Sequence, residues 1–343
     1  MKNIYYLFLA MITVICSTSC NNEWEDEQFK QMVSFKAVPN SDGVTSAYVR
    51  YNAGDVVKYN LPIILSGSTM NTTNRNIHIA IDQDTLNVLN RERYGEREEL
   101  YYRLLDSQYY SIPDAVELSK GKYTTVLPIE FTLGGTNGVN QLNLSEKWIL
   151  PLSIMDDPSY DYQANPRKHY RKALLNITPF NDYSGTYSGT KYMIYLDDDQ
   201  THAFTLANHK AYVHDDKTIF VYAGLRNIDY LDRQKYRVFA KFTDEKIDLQ
   251  KRKLEIWSDN DDPVNGNAFK PGESQSYYTV EEAYDAKKPY LKHIYITLFL
   301  SYTFEDYTIS PGNRLKYTVK GTLSMQRDLN TLIPDEDQQI QWN

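Results

Sequence analysis

Trp257 and the pair Tyr277-Tyr278 flank a polar stretch, Ser258 to Ser276, whose first positions include Asp259 and Asn260. An aromatic face stacks on the C–H side of a sugar ring while carboxylates and carboxamides bond its hydroxyls, so this grouping has the chemistry of carbohydrate binding. Polar loops longer than about 12–15 residues are usually functional or disordered. In Lys253-Leu254-Glu255-Ile256-Trp257, strand alternation puts Leu254 and Ile256 on one face and Trp257 on the opposite, polar one. The expected ligand-binding residues are therefore Trp257, Asp259, Asn260, Tyr277 and Tyr278. The structural alternative is that Trp257 covers a neighbouring domain or the base of a loop.

Other groupings read better as solvated turns. Tyr195 with Asp197-Asp198-Asp199 is one, and Tyr160-Asp161-Tyr162 is another. His209 and His214 lie close together and read as a turn bearing two surface imidazoles. Asp259-Asn260-Asp261-Asp262 has calcium-like ligands but lacks the glycine and terminal Glu of an EF-hand. No His-Glu-x-x-His pair, Gly-x-Ser-x-Gly elbow or phosphate loop occurs, and Gly134-Gly135-x-x-Gly138 lies between strands. No catalytic residue, metal ligand or cofactor is expected. A glycosidase needs only two carboxylates placed in space, and the 45 acidic residues leave that alternative open.

Charge narrows the partners. Lys plus Arg total 37 against 45 Asp plus Glu, a net charge of -8, which argues against nucleic acid because phosphate backbones demand clustered cations. The 30 Tyr outnumber the 12 Phe and 4 Trp together, and an excess of Tyr points to rings whose polar edge meets water.

Along the chain alternation dominates and helical periodicity is scarce. Val33 to Val38, Val57 to Leu65, Ile77 to Ile81 and Thr125 to Phe131 read as strands separated by turn signals such as Ala53-Gly54-Asp55. One helix is expected after Asp84 as cap, through Leu86 and Leu89, ending at Gly95; a second is expected from Glu98 to Leu105. A boundary falls at Thr178-Pro179-Phe180-Asn181-Asp182, where Pro179 closes a strand and Asn-Asp starts a turn. Beyond it, Tyr187 to Tyr195, His202 to Leu206, Ile219 to Tyr222, Tyr236 to Phe242, Leu254 to Trp257, Ile294 to Leu300 and Leu315 to Met325 are seven strand candidates.

The start reads as an export signal. Lys2 precedes the apolar run Ile4 to Ile15, too short to span a bilayer, and small residues follow. Ser17-Thr18-Ser19-Cys20 resembles a bacterial lipobox, with Ser17 where Leu is usual, which implies acylation of Cys20. With Cys16 in the signal and Cys20 acylated, the mature body has no thiol for disulfides, zinc or nucleophilic catalysis. Glu23-Trp24-Glu25-Asp26-Glu27 is a solvated tether, and its acids resemble the signal that sends Bacteroidota lipoproteins to the outer face of the outer membrane.

Leu61-Pro62-Ile63-Ile64-Leu65-Ser66-Gly67, Asn76 to Asp82, Tyr110-Ser111-Ile112-Pro113 and Leu150-Pro151-Leu152-Ser153-Ile154 together resemble the N-terminal immunoglobulin-like domain of Bacteroidota polysaccharide-utilisation-locus surface lipoproteins. Gly185-Thr186-Tyr187-Ser188-Gly189 and Tyr317 to Leu323 resemble the C-terminal all-β partner domain of the same lipoproteins. The expected organisation is a signal peptide at 1–19, an acidic tether at 20–30, an immunoglobulin-like domain at 31–178, an all-β domain at 179–330 and a polar tail at 331–343. The expected class is all-β: a sandwich with a short helical insertion, then an antiparallel β-barrel or sandwich of lipocalin-like type.

The resemblance implies an outer-membrane, cell-surface lipoprotein that binds glycan for an uptake system. Its partners would be an outer-membrane transporter and companion binding lipoproteins, with membrane contact through the lipid alone. A glycoside hydrolase or lyase on the C-terminal domain, or a structural surface lipoprotein, are the alternatives.

Overall fold

The computed structural model describes residues 29–135, 141–196, 199–310 and 312–333. The signal, Cys20, the tether up to residue 28, Asp197, Asp198, Gly138 and the tail beyond residue 333 lie outside the described residues. About 50% of the chain is strand and 9% helix, which makes it an all-β, two-domain protein.

The first domain contains β1 (Met32–Phe35), β2 (Thr45–Arg50), β3 (Val57–Ser66), β4 (Arg75–Ile81), helix α1 (Gln83–Tyr94), β5 (Arg103–Leu104), β6 (Tyr110–Ser111), β7 (Ala115–Leu118), β8 (Thr124–Phe131), β9 (Trp148–Ile154), the single turn α2 (Lys168–Arg171) and β10 (Lys172–Phe180). One sheet runs β1-β3-β8-β6 and the other β2-β10-β9-β4-β7, with β5 added along β9. Alternate residues of the two sheets, such as Leu61 and Ile63 on β3 against Leu150 and Leu152 on β9, meet in one dry core. The back of the second sheet is covered by α1, where Leu86 and Tyr94 pack on Ile149 and Leu174.

Both helical expectations need correction. The cap of α1 is Asp82, not Asp84: its carboxylate accepts from the backbone N–H of Thr85 at 3.1 Å, so the helix starts earlier. It stops at Gly95, whose φ of 59° suits glycine. The segment after it makes only a 3-10 turn at Glu98–Leu100, because Arg103 and Leu105 donate to Lys147 O and Ile149 O and are drawn into the sheet.

The second domain contains β11 (Gly185–Leu196), β12 (Asp199–Phe204), β13 (Asn208–Asp215), β14 (Thr218–Tyr222), β15 (Arg237–Lys246), β16 (Arg252–Trp257), β17 (Lys270–Pro271), β18 (Tyr277–Tyr284), β19 (Leu291–Asp306) and β20 (Leu315–Asn330). Antiparallel pairing runs β11-β13-β14-β15-β16-β18-β19-β20, and β20 returns to β11. The ring is a closed eight-stranded barrel, which removes sheet edges from those strands. Strands β13, β17 and β18 are additions to the expected set. In β13 His209 and Ala211 face inward while Lys210 and Tyr212 face outward, and Val213 joins the core of the first domain. The two histidines therefore belong to a strand rather than a surface turn, and His209 is buried.

The barrel interior is filled with tyrosine. Tyr187, Tyr192, Tyr236 and Tyr302 are fully buried, contrary to the expected wet edges. Their hydroxyls find partners inside: Tyr187 donates to Tyr183 O, Tyr192 and Tyr302 bond each other, and Tyr236 donates to Asp306. A buried ring of this kind carries its own hydrogen bond into the core. Tyr183 in the interdomain connection stacks on Phe242 at 3.7 Å at one end of the barrel, and Phe269 packs on Tyr302 toward the other.

Candidate functional site

Four adjacent strands bring outward rings into register. Tyr212 on β13 pairs with Phe220 on β14, Phe220 with Phe239 on β15, and Phe239 with Trp257 on β16. Successive centroids are 5.3, 5.9 and 5.3 Å apart, so the rings form a continuous aromatic ladder across the barrel wall. Its middle is covered and its end is not: Phe220 and Phe239 are 1% and 3% exposed, Trp257 37%.

The cover is the segment Gln141–Lys147 of the first domain, held to the barrel by polar contacts. Gln141 donates to His214 O, Arg237 to the Ser145 hydroxyl at 3.0 Å, Arg233 pairs with Glu146 at 3.2 Å, and Lys147 with Asp229 at 2.8 Å. Between this segment and Trp257 lies a cleft of about 330 Å³, lined also by His214, Arg237 and Asp259. A cavity of this size is at the small end of ligand sites.

The cleft combines ring faces with directional polar groups. Arg237 forms an ion pair with Asp259 and lies 5.4 Å over the Phe239 ring. His214 meets Phe239 edge-on at 4.8 Å. Burial, aided by the charge of Arg237, lowers the His214 pKa against the opposing pull of Asp215, so the imidazole is neutral at pH 7 and able to accept a hydrogen bond. Among the described residues the Trp257 indole N–H has no protein partner. A polyhydroxylated ring laid on Trp257 would meet donors and acceptors of both kinds.

Of the expected site residues, the cleft unites Trp257 and Asp259. Asn260 is engaged elsewhere, donating to Lys235 O at 2.9 Å and to the Tyr307 hydroxyl at 3.1 Å. Tyr277 shares the outer face but pairs with Lys253, four residues along β16 from Trp257, roughly 13 Å away at the usual strand rise. It stacks on Phe299 instead, at 5.0 Å. Tyr278 faces into the barrel, 2% exposed, with its hydroxyl donating to Thr243 O. Neighbouring residues on a strand point to opposite sides, so Tyr277 and Tyr278 cannot both join one platform.

Beyond Asp259 the stretch to Ser276 does not frame the cleft. Asn267 is buried and donates to Lys235 O and Ser258 Oγ, and Phe269 enters the core, so the stretch folds back over the barrel end. Asp262 caps its own turn, accepting from the N–H groups of Val264 and Asn265. Among the described residues no group of three or more His, Cys, Asp or Glu side chains could hold a metal ion.

The sequence reading missed Phe220, Phe239, Arg237 and His214. The signal for the first three was present: Thr218-Ile219-Phe220-Val221 and Arg237-Val238-Phe239-Ala240 alternate as Lys253 to Trp257 does, with aliphatic residues inward.

A model for a domain of unknown function, DUF4973, matches residues 24–158, and a second, described only as a "-like, C-terminal" domain, matches residues 171–324. A protein of unknown function from Bacteroides ovatus is 40% identical, over 91% of this chain and 97% of that one, with a TM-score of 0.77. The chain belongs to this family of two-domain Bacteroides proteins. A further family member from Bacteroides ovatus, a multidomain protein including DUF1735, is 39% identical over 91% of this chain and 100% of its own, with a TM-score of 0.76. An auxiliary nutrient binding protein from Bacteroides thetaiotaomicron is 37% identical over 88% of this chain and 97% of that one, with a TM-score of 0.77. The search of curated proteins gave no match.

Proposed function

We propose that the chain is a binding protein that captures carbohydrate for uptake, with the Trp257 cleft as its site. The observation that carries this reading is the half-open Trp257 ring at the end of the aromatic ladder, beside the Arg237–Asp259 pair. Ring faces and paired charges at one mouth suit a neutral sugar, whose hydroxyls both donate and accept. The relative described as an auxiliary nutrient binding protein supports the class of role. The mechanism is capture and release: stacking on Trp257, a hydrogen bond donated by Arg237, hydrogen bonds accepted by Asp259 and His214, and no covalent step.

Trp257→Ala is expected to weaken binding roughly threefold to tenfold, since ring stacking contributes about 0.5–1.5 kcal/mol beyond area burial. The measurement is calorimetric titration with whichever polysaccharide retards the wild type in an affinity gel. Unchanged affinity removes the cleft from the reading. New reducing ends on incubating wild type with that polysaccharide would establish the hydrolase alternative instead.

For location, the reading is a cell-surface lipoprotein held through Cys20, working beside an outer-membrane transporter and companion lipoproteins. The lipobox-like Ser17-Thr18-Ser19-Cys20 supports it. Cys20→Ala is expected to move the protein from the membrane fraction to the soluble fraction; continued membrane retention of the processed variant would sink the anchor.

A further inference from the structure

A second interdomain cavity, of about 300 Å³, lies on the other side of Leu144, at the Tyr212 end of the ladder. Its floor is β10. Leu175 and Ile177 face the sandwich core, so Asn176 and Thr178 take the face that carries Leu174 beneath α1 and look into this cavity. The surrounding ionised groups are already matched. Lys147 pairs with Asp229 at 2.8 Å, and Arg93 pairs with Asp42 at 2.6 Å. Lys147 also lies 5.4 Å over the Tyr94 ring and Lys210 lies 5.5 Å over Tyr212. Among the described residues the carboxamide of Asn176 and the hydroxyl of Tyr212 have no hydrogen-bond partner, and both residues line this cavity.

These features restrict the occupant. An apolar ligand would strip water from several ionised groups and return no hydrogen bonds. The lining cations Arg93, Lys147 and Lys210 number three and the carboxylates Asp42, Glu146 and Asp229 number three, so a multiply charged ligand would have to break a pair to enter. A hydroxyl can donate to a carboxylate and accept from an ammonium without separating them. Tyr212, Leu144 and Ile228 supply faces for C–H groups. At this volume the cavity is at the lower limit of small-molecule sites, about 300–1,000 Å³, which is room for one small sugar.

We infer that this cavity is a second binding site, separate from the Trp257 cleft, for a neutral monosaccharide or a sugar chain end, with Asn176 as its principal hydrogen-bonding residue. It goes beyond the polysaccharide reading, since a free sugar could occupy it whether or not Trp257 holds a chain.

The test uses saturation-transfer NMR on the full chain with the methyl glycosides of glucose, galactose, mannose, xylose and N-acetylglucosamine as probes. At least one is expected to receive saturation from the wild type. Asn176→Leu, close in size but without the amide, is expected to weaken that probe roughly threefold to tenfold, the loss of one neutral hydrogen bond. Trp257→Ala is expected to leave it unchanged. Tyr212→Phe, which keeps the ring and removes a hydroxyl that has no partner among the described residues, is the second variant should Asn176→Leu lower the melting temperature, and the same weakening is expected of it. No saturation of any probe overturns the inference. So does a probe insensitive to Asn176→Leu, or to Tyr212→Phe where that variant decides. A probe lost in Trp257→Ala alone places the sugar in the first cleft, which overturns the second site while supporting the proposed function. Polysaccharide binding weakened by Trp257→Ala with methyl glycoside binding intact is the pattern expected of two separate sites.

Discussion

Asp306→Ala should lower stability more than any surface substitution, by about 3–5 kcal/mol, the usual result of leaving a buried charge with a missing partner. Arg226 is buried, lies 3.6 Å over the Tyr236 ring, and pairs with Asp306 at 2.6 Å and Asp232 at 3.0 Å. The other oxygen of Asp306 accepts from the Tyr236 hydroxyl at 3.2 Å and from the N–H groups of Thr308 and Ile309 at 3.0 and 3.1 Å. Alanine would strip all of these at once. Asp232 would remain, which places the expectation at the lower end of the range.

For a domain of this size each kcal/mol moves the melting temperature by roughly 2–4 °C, so a drop of about 10 °C is expected. Asp182→Ala is the control, because its pair with Arg50 is exposed and worth about 0–1 kcal/mol. Equal melting temperatures for the two variants would show that the network contributes little. The pH sign is set by the carboxyl. Burial by itself would raise the Asp306 pKa, but the hydrogen bonds and charge of Arg226, with the two N–H groups, hold it below the usual value. The associated stability is present above the unfolded-state value, near 3.9, and is lost as pH falls through the folded one.

Acid should destabilise the barrel well before that, through His209. Burial lowers its pKa to about 4, and its Nε2 has no hydrogen-bond partner, with the ring tilted against Tyr192 at 5.2 Å. The unfolded chain takes up this proton near pH 6.5. Stability from a neutral His209 is therefore fully present above about pH 6.5 and is lost as pH falls toward 4, with a total near 3 kcal/mol at 1.36 kcal/mol per pKa unit.

His293 works in the opposite direction. The hydrogen bond with Asp328, and then that with Asp285, raises its pKa, so its contribution is present at low pH and is lost as pH rises through the folded value. Denaturant melts of wild type and His209→Gln between pH 4 and pH 8 separate the two. The variant should lose most of the decline between pH 6.5 and 4. A wild-type slope retained in His209→Gln would assign the acid sensitivity elsewhere.

The domain pairing shows why some of the site was readable in the chain and some was not. Alternation in Lys253 to Trp257 places the Trp257 ring outside the barrel, and the same local rule, applied to Tyr277-Tyr278, would have separated those two rings at once. Gly95 ends α1 because a left-handed backbone there suits glycine, again a local matter. Local periodicity decides which face a side chain takes, but it carries no information on what covers that face.

Phe220 and Phe239 lie on an outer face yet are buried, because Gln141–Lys147, distant in the chain, is fastened over them by Arg233, Arg237 and Asp229. The ladder depends on registers between four strands, and the barrel on β20 returning to β11 across more than a hundred residues of chain. The sequence by itself determined an all-β chain with Trp257 turned outward. Closure of the barrel, the clefts beside Leu144 and the inward turn of the tyrosines were decided by the tertiary structure, because each rests on contacts between segments whose separation no local pattern encodes.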